Sequence, residues 1–198
     1  MTNGPIIRLG YVQEKAKDFL QKYHPQNSLP IPIEEIVELQ MNIGLNIVNG
    51  IKQLLDVDAF INREFSEIFI DEFSFKKYPA RTRFSIAHEI GHLILHRGWY
   101  ESCGPGNVDN YLEFLDRIDD ETYQKIERQA STFAGLVLIP TKHLAEIIKQ
   151  RVGKIPNNEE PELLAGIIQD LPAIFNVSEM PILWRLQDEG IVKRKRFF

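Results

Sequence analysis

The sequence predicts an α+β protein in which a small antiparallel or mixed sheet packs on a helical core, with additional helices at the C-terminal end. Three observations lead to this class. Short runs of alternating apolar and polar residues predict strands between about residues 45 and 71. Longer stretches with apolar residues at helical spacing predict helices on both sides of those strands. With 43% apolar and 26% charged residues, 198 residues are enough to bury a core.

The N-terminal part is predicted to hold two helices and three strands. Apolar residues recur at helical spacing from Ile7 to Tyr23 and again from Ile33 to Met41. The run Leu45–Val48 reads as a strand. The runs Val57–Ile61 and Glu67–Asp71 alternate on either side of a polar turn, which predicts a hairpin.

The rest of the chain is predicted to be helical. The expected helices cover about Pro79–His96, Asp119–Leu138, Thr141–Arg151, Glu162–Phe175 and Ser178–Glu189. The segment Trp99–Asn110 is expected to be a loop, because Gly104-Pro105-Gly106 interrupts it. We therefore divide the chain into an N-terminal helix (1–30), a central domain (31–152) and a C-terminal helical extension (153–198).

Charge and composition argue against several classes of protein. The net charge of −5 and the acidic second helix disfavour direct binding to nucleic acid, and the basic tail 193–196 is expected to be a solvated terminus. No stretch approaches the roughly 20 apolar residues of a membrane span, and the first residues lack a signal-peptide pattern. The single cysteine, Cys103, excludes an internal disulfide framework. These features together predict a cytoplasmic protein.

The segment His88-Glu89-Ile90-Gly91-His92 carries the strongest chemical signal. On a helix, His88 and His92 lie one turn apart on the same face, so each can give a ring nitrogen to one metal ion. Glu89 lies beside them, where it can act as a general base on water, as in the H-E-x-x-H motif of zinc peptidases. The competing interpretation is a helix with two ordinary histidines and an exposed glutamate. The apolar surroundings favour the metal site, because buried unpaired charge is costly.

A catalytic zinc site normally has three protein ligands, so a third is needed. The candidates after the motif are His96, Glu101, Cys103, Asp109, Glu113, Asp116, Asp119, Asp120, Glu121, Glu127 and His143. Glu127 is favoured, because it shares a helix face with Ala130, Ser131 and Ala134, and small residues let one helix lie close to another. His96 is expected to be structural or to support a ligand, and Ser131 could orient a ligand.

Several stretches together resemble the ImmA/IrrE family of metallopeptidases. They are Arg83–His96, Glu127–Ala134, Leu138-Ile139-Pro140, Ile31–Ile36 and, near the end, Phe175–Ser178, Leu183, Arg185-Leu186 and Gly190–Val192. The likeness extends from about Pro30 to Val192. It implies a zincin-type core and a zinc-dependent, gluzincin-like endopeptidase. The best understood members of the family cleave a helix-turn-helix transcriptional repressor, so such a repressor is the substrate that the resemblance implies.

Carried over by position, the resemblance makes His88, His92 and Glu127 the Zn²⁺ ligands and Glu89 the base. Two departures stand out. Ser131 lies where the family usually has asparagine, and the connection from His96 to Glu127 is long, so residues 97–122 are interpreted as an insertion or lid. Many members also carry an N-terminal helix-turn-helix, which the sequence here does not indicate.

Two other functions remain open. One is a non-proteolytic protein of the same fold that binds a repressor or toxin-type partner and uses metal only for stability; the intact Glu89 argues against it, because a structural site needs no base. The other is a zinc hydrolase for small molecules.

A thiolate of Cys103 on a mobile loop could also block the metal, although an ordinary surface thiol is the simpler interpretation.

Two details of the expected mechanism also stay open. The donor that would stabilise the oxyanion could be Tyr100, Tyr111, His96 or Arg83. The strand at Glu67–Asp71 could offer its edge to an extended substrate, or it could have no role in binding.

Overall fold

The computed structural model describes residue 5, residues 7–155 and residues 166–193. Its helices are α1 (Leu9–Tyr23), α2 (Ile33–Glu35), α3 (Ile51–Leu55), α4 (Glu72–Lys77), α5 (Pro79–Cys103), α6 (Tyr111–Asp116), α7 (Asp120–Leu138), α8 (Thr141–Val152), α9 (Leu171–Phe175) and α10 (Glu179–Asp188). Its strands are β1 (Gly44–Val48), β2 (Ala59–Ile61) and β3 (Glu67–Asp71). A small sheet beside a mainly helical core confirms the predicted α+β class.

The three strands form one mixed sheet in the order β1-β3-β2. β2 and β3 are antiparallel, with Ala59 opposite Ile70, which confirms the predicted hairpin. β1 pairs with β3 in parallel, with Gly44 opposite Glu67. The suggestion that the Glu67–Asp71 strand offers its edge to a substrate is therefore wrong, because β3 is central and both of its edges are paired. The strand with an open edge beside α5 is β2.

The long helices α5 and α7 pack closely against each other at the centre of the molecule. The closest approach is at Gly91, where a Cβ atom would lie 2.9 Å from the Cα of Ala130. On the other side of α5, Ile86, Ile90 and the sheet residue Ile61 are completely buried. Helix α5 thus lies between the sheet and α7, and residues on its two faces reach both neighbours.

Helix α5 is longer than the sequence predicted. Residues from Trp99 to Cys103 were expected in a loop, but they form its last turn. The reason is tertiary packing, since the rings of Trp99 and Tyr100 lie 6.2 and 5.6 Å from that of Phe114 in the unexpected helix α6. The second predicted helix also changes character, because α2 continues as a π-helix over Ile36–Gln40.

The C-terminal helices agree with the prediction only in part. Residues 162–165 of the predicted helix Glu162–Phe175 lie outside the described residues, and the remainder divides into helical residues 166–168 and α9. Helix α10 confirms the last predicted helix, while the basic tail beyond Lys193 lies outside the described residues. The division of the chain at residues 30 and 152 stays a prediction. None of the described helices combines the length and apolar character that crossing a membrane requires.

Arg83 joins the start of α5 to distant parts of the chain. It is 8% exposed, and its Nε donates to the carbonyl of Asn176 at 3.1 Å. The same guanidinium also donates to the carbonyl of Ile31 and to the carboxylate of Glu34. All sides of this cation are thus satisfied by structural partners, and it holds α2 and the end of α9 against the helix that bears the histidines.

Candidate metal centre

Helix α5 places His88 and His92 one turn apart on the face that packs against α7. Their rings are 4.9 Å apart between centroids, and their Nε2 atoms are 3.1 Å apart. His92 is 2% exposed, whereas His88 is partly exposed. The two nitrogens therefore point to one place at the wall of a cavity, as the i, i+4 spacing predicted.

Helix α7 brings Glu127 to the same place. One carboxylate oxygen lies 3.1 Å from Nε2 of His88, and the other lies 3.2 Å from Nε2 of His92. In a tetrahedral zinc site with bonds of about 2.0–2.1 Å, ligand atoms are about 3.3 Å apart, so this donor set fits the ion in both geometry and chemistry. In the described part of the chain, no other three histidine, cysteine, aspartate or glutamate side chains converge in this way. The remaining candidates for the third ligand there do not join the cluster.

The nitrogens of the two histidines that point away from this cluster also have partners. Nδ1 of His88 lies 3.1 Å from the hydroxyl of Ser131, and Nδ1 of His92 lies 3.1 Å from Nδ1 of His96. Nε2 of His96 in turn lies 2.8 Å from Oε1 of Gln129. Both histidines can therefore present Nε2 to a metal while Nδ1 is held from behind.

Electrostatic coupling within the cluster is strong. Burial acts to raise the pKa of Glu127, but the charges and hydrogen bonds of His88 and His92 outweigh burial and hold this pKa well below its usual range. Burial acts to lower the pKa of His88, yet the charge and hydrogen bond of Glu127 and the charge of Glu89 raise it. Burial lowers the pKa of His96 to about 3, so its ring is neutral at physiological pH.

Glu89 lies on the opposite side of α5 from Gly91, against the sheet. It is 5% exposed, and its Oε2 accepts a hydrogen bond of 2.9 Å from the backbone N–H of Ile61 in β2. Burial raises its pKa, opposed by the nearby His92 and His88. A buried carboxylate with a raised pKa and a fixed orientation accepts a proton more readily than an exposed glutamate, as a general base requires.

A cavity of about 440 Å³ opens over the cluster. It is lined by the cluster itself and by Tyr100, Tyr111, Phe84 and Trp184, among other residues. Burial raises the pKa of Tyr100 and of Tyr111, so both phenols stay protonated and can donate.

Two of the expected oxyanion donors do not reach this cavity. The guanidinium of Arg83 is engaged by carbonyls and Glu34, and His96 is buried behind His92. Of the four expected oxyanion donors, only Tyr100 and Tyr111 line the cavity.

The segment between His96 and Glu127 contributes directly to this cavity through Tyr100, Tyr111 and Phe114. Its role as an insertion or lid stays a prediction. The hypothesis that Cys103 blocks the metal required this residue to lie on a mobile loop, but it lies in a helix. It is the last residue of α5, eleven positions beyond His92, or about 16 Å along the helix axis at 1.5 Å per residue.

Sequence reasoning missed two contributors to this site. Gln129 follows Glu127 by two positions and points along α7 toward His96, and the backbone N–H of Ile61 comes from a strand 28 residues before Glu89. Tyr111 was named only as one of several possible donors. The histidine at i+4 from His92 was the available signal that a polar partner should exist on α7, since a buried imidazole needs one on each nitrogen.

Comparison with known proteins identifies the class of protein. Residues 61–187, more than half of the chain, match the IrrE N-terminal-like domain, Peptidase_M78. The chain therefore belongs to this peptidase family, as the motifs indicated. A search of curated proteins found no match.

Among solved structures, a Mycobacterium tuberculosis transcriptional regulator is similar, with a TM-score of 0.55 and 16% sequence identity. The likeness covers 95% of this chain but 48% of that one, so this chain spans about half of its length. At this level of identity the likeness shows a shared fold.

Proposed function

We propose that this protein is a zinc-dependent endopeptidase whose substrate is a protein, namely a helix-turn-helix transcriptional repressor. The observation that carries the proposal is the convergence of His88, His92 and Glu127 within 3.1–3.2 Å, with the buried carboxylate of Glu89 next to them. Membership of a peptidase family supports the same conclusion. His88, His92 and Glu127 would hold the ion.

The chain's own residues would divide the reaction between them. Bound zinc supplies a Lewis acid that polarises the scissile carbonyl and lowers the pKa of water. Glu89 takes a proton from the attacking water, and the C–N bond breaks as the same carboxyl group delivers that proton to the leaving amine. The phenol of Tyr100 or Tyr111 donates a hydrogen bond to the carbonyl oxygen as negative charge develops there.

The open edge of β2 is suited to hold an extended polypeptide. Asn62 N–H bonds the Glu67 carbonyl and Asp71 N–H bonds the Asp58 carbonyl, so the alternation of an antiparallel pair turns the N–H and C=O of Ala59 away from β3. Ala59 lines the cavity over the metal cluster. A substrate strand added here would gain affinity from backbone hydrogen bonds without demanding a sequence.

The space around the cluster also favours a long substrate over a small molecule. A second cavity of about 610 Å³ lies between α1, α7 and α10, and both cavities are lined by Phe84, Pro181 and Trp184. Phe84 and Trp184 pack edge-on with their centroids 6.0 Å apart, and Trp184 is 44% exposed. Two cavities on either side of this pair suit a polypeptide better than an isolated metabolite.

The experiment is incubation of the zinc-loaded protein with repressor proteins encoded near its gene, followed by mass spectrometry of the fragments. We expect one discrete cut by the wild type. Glu89→Gln should retain zinc and lose cleavage, because it keeps the size of the side chain but removes the base.

The same pair of proteins distinguishes the rival function. If wild type and Glu89→Gln relieve repression equally and neither cuts the repressor, the chain is a binding protein in which the metal only stabilises the fold. A cut by the wild type that survives in Glu89→Gln would refute the role of Glu89 while leaving peptidase activity standing.

A further inference from the structure

His92 lies at the head of a continuous row of polar groups that runs through the protein away from the metal cluster. The row consists of Nδ1 of His92, the ring of His96, the amide of Gln129 and the carbonyl oxygen of Ile7. Its successive distances are 3.1, 2.8 and 3.2 Å. His96 is 1% exposed, so water does not compete for its nitrogens.

The chemistry of the last group fixes the direction of every hydrogen bond in the row. A backbone carbonyl only accepts, so the amide of Gln129 must turn its NH₂ toward Ile7 and its oxygen toward His96. An amide oxygen also only accepts, so Nε2 of His96 must carry the hydrogen. Neutral imidazole has one N–H, which leaves Nδ1 of His96 as an acceptor.

His92 must then be the donor. Its Nδ1 faces the acceptor on His96, so it carries the N–H, and the lone pair of neutral His92 is on Nε2. This is the nitrogen that lies 3.1 Å from His88 and 3.2 Å from Glu127. The other tautomer of His92 would place a hydrogen where the metal belongs.

We propose that His96 and Gln129 are positioning residues that select the metal-binding tautomer of His92, with the carbonyl of Ile7 as the anchor that sets the direction. The inference rests on the metal centre proposed above. A histidine ligand usually donates its second N–H to a carboxylate, a carbonyl or water, and here a second imidazole takes that role. His88 is held differently, since the hydroxyl of Ser131 can donate or accept and does not select a tautomer.

The tautomers can be read directly by NMR. In metal-free protein with ¹⁵N-labelled histidine at neutral pH, two-bond ¹H–¹⁵N correlations should show His96 in the neutral form that is protonated on Nε2. Gln129→Leu removes the acceptor and should allow both forms of His96. A wild-type His96 protonated on Nδ1 would overturn the proposal.

Zinc affinity provides the second readout, measured by competition with a chromophoric chelator. His96→Leu and His96→Asn are nearly equal in size and charge, but only asparagine can still accept from Nδ1 of His92. We expect the leucine variant to weaken zinc binding by about 10–100-fold and the asparagine variant to recover most of it. The d–d spectrum of the cobalt-substituted protein should be altered by leucine and not by asparagine.

Gln129 provides a second pair of variants, since it is only half-buried and tolerates substitution. Gln129→Glu retains the acceptor toward His96, so its zinc affinity should remain at least as high as that of the wild type, whereas Gln129→Leu should weaken it. Equal zinc affinities for His96→Leu and His96→Asn would overturn the proposal, because the hydrogen bond that His96 accepts from His92 would then have no effect on zinc binding.

None of these measurements requires a peptide substrate. If the tautomers and the order of zinc affinities are as expected but no repressor is cut, the proposed function fails and this inference stands. If zinc does not bind to wild type, both fail.

Discussion

Replacing Gly91 with alanine tests whether α5 and α7 must touch for the metal cluster to form. The new Cβ would lie 2.9 Å from Cα and 3.0 Å from the carbonyl oxygen of Ala130, against 3.4–4 Å for an ordinary contact. The helices must therefore separate by about 0.5 Å. Because metal–ligand distances tolerate only about 0.2 Å, Glu127 can no longer complete the site without distortion.

The expected free energies follow from the same geometry. Overpacking destabilises a protein by about 1–3 kcal/mol. Replacing glycine with alanine within a helix stabilises it by about 0.5–1 kcal/mol. The free energy of unfolding of the metal-free variant should therefore be about 0–2.5 kcal/mol lower than that of the wild type. Zinc affinity should fall by about 10–100-fold, as when the support of a ligand is removed. Stability is measured by urea unfolding with chelator present, and affinity by zinc competition.

Gly98→Ala is the matched control on the same helix. Its Cβ would meet nothing within 4 Å, so it should stabilise the protein by about 0.5–1 kcal/mol and leave zinc affinity unchanged. If Gly91→Ala binds zinc as tightly as Gly98→Ala, close contact between α5 and α7 is not what positions Glu127.

Further predictions concern the reaction, the two cavities and pH. Removing the phenol that contacts the oxyanion, by Tyr100→Phe or Tyr111→Phe, should lower kcat by about 10²–10³-fold with zinc affinity unchanged; two fully active variants would exclude both donors. Trp184→Ala should raise KM for a whole protein substrate but not for a short peptide, and equal effects on both would argue against binding across the two cavities. Zinc must displace the proton of His88, whose pKa is raised in the metal-free protein by Glu127 against the opposing effect of burial. Zinc affinity should therefore fall as pH decreases through that pKa, above the ordinary value of about 6.5, and calorimetry in two buffers should detect released protons. The raised pKa of His88 also stabilises the metal-free protein. This stabilisation is fully present below about pH 6.5 and is lost as pH rises through the raised pKa, so the thermal midpoint of the metal-free protein should decrease over that pH range.

The part of the site that lies on one helix was predictable, because local periodicity fixes it. His88 and His92 share a face at i, i+4 whatever the tertiary structure, and the small residues beside Glu127 indicated a close helix contact. That contact was found between Gly91 and Ala130. Periodicity therefore indicated both helices and the faces that meet.

Contacts between distant segments could not be predicted in this way. The N–H of Ile61 donates to Glu89, and the carbonyl of Ile7 accepts from Gln129. Both are backbone groups, and every residue type except proline carries both kinds, so the sequence does not indicate them. The expectation that the Glu67–Asp71 strand has a free edge was wrong for a related reason. The hairpin of β2 and β3 was evident from its turn, but the parallel pairing of β1, which makes β3 central, depends on the path of the chain between them.

The boundary of α5 illustrates competition between local and tertiary signals. Gly104-Pro105-Gly106 suggested that the loop began near Trp99. The helix instead continues to Cys103, because the aromatic rings of Trp99 and Tyr100 pack on α6. Helix α6 itself is six residues long, too short for its periodicity to be recognised.

X-ray diffraction from crystals grown with zinc, measured on both sides of the zinc absorption edge, tests the metal centre directly. We expect one strong anomalous peak about 2.0–2.2 Å from Nε2 of His88, Nε2 of His92 and a carboxylate oxygen of Glu127. A crystal with no peak there, or with zinc held by other side chains while these three point elsewhere, would contradict the account.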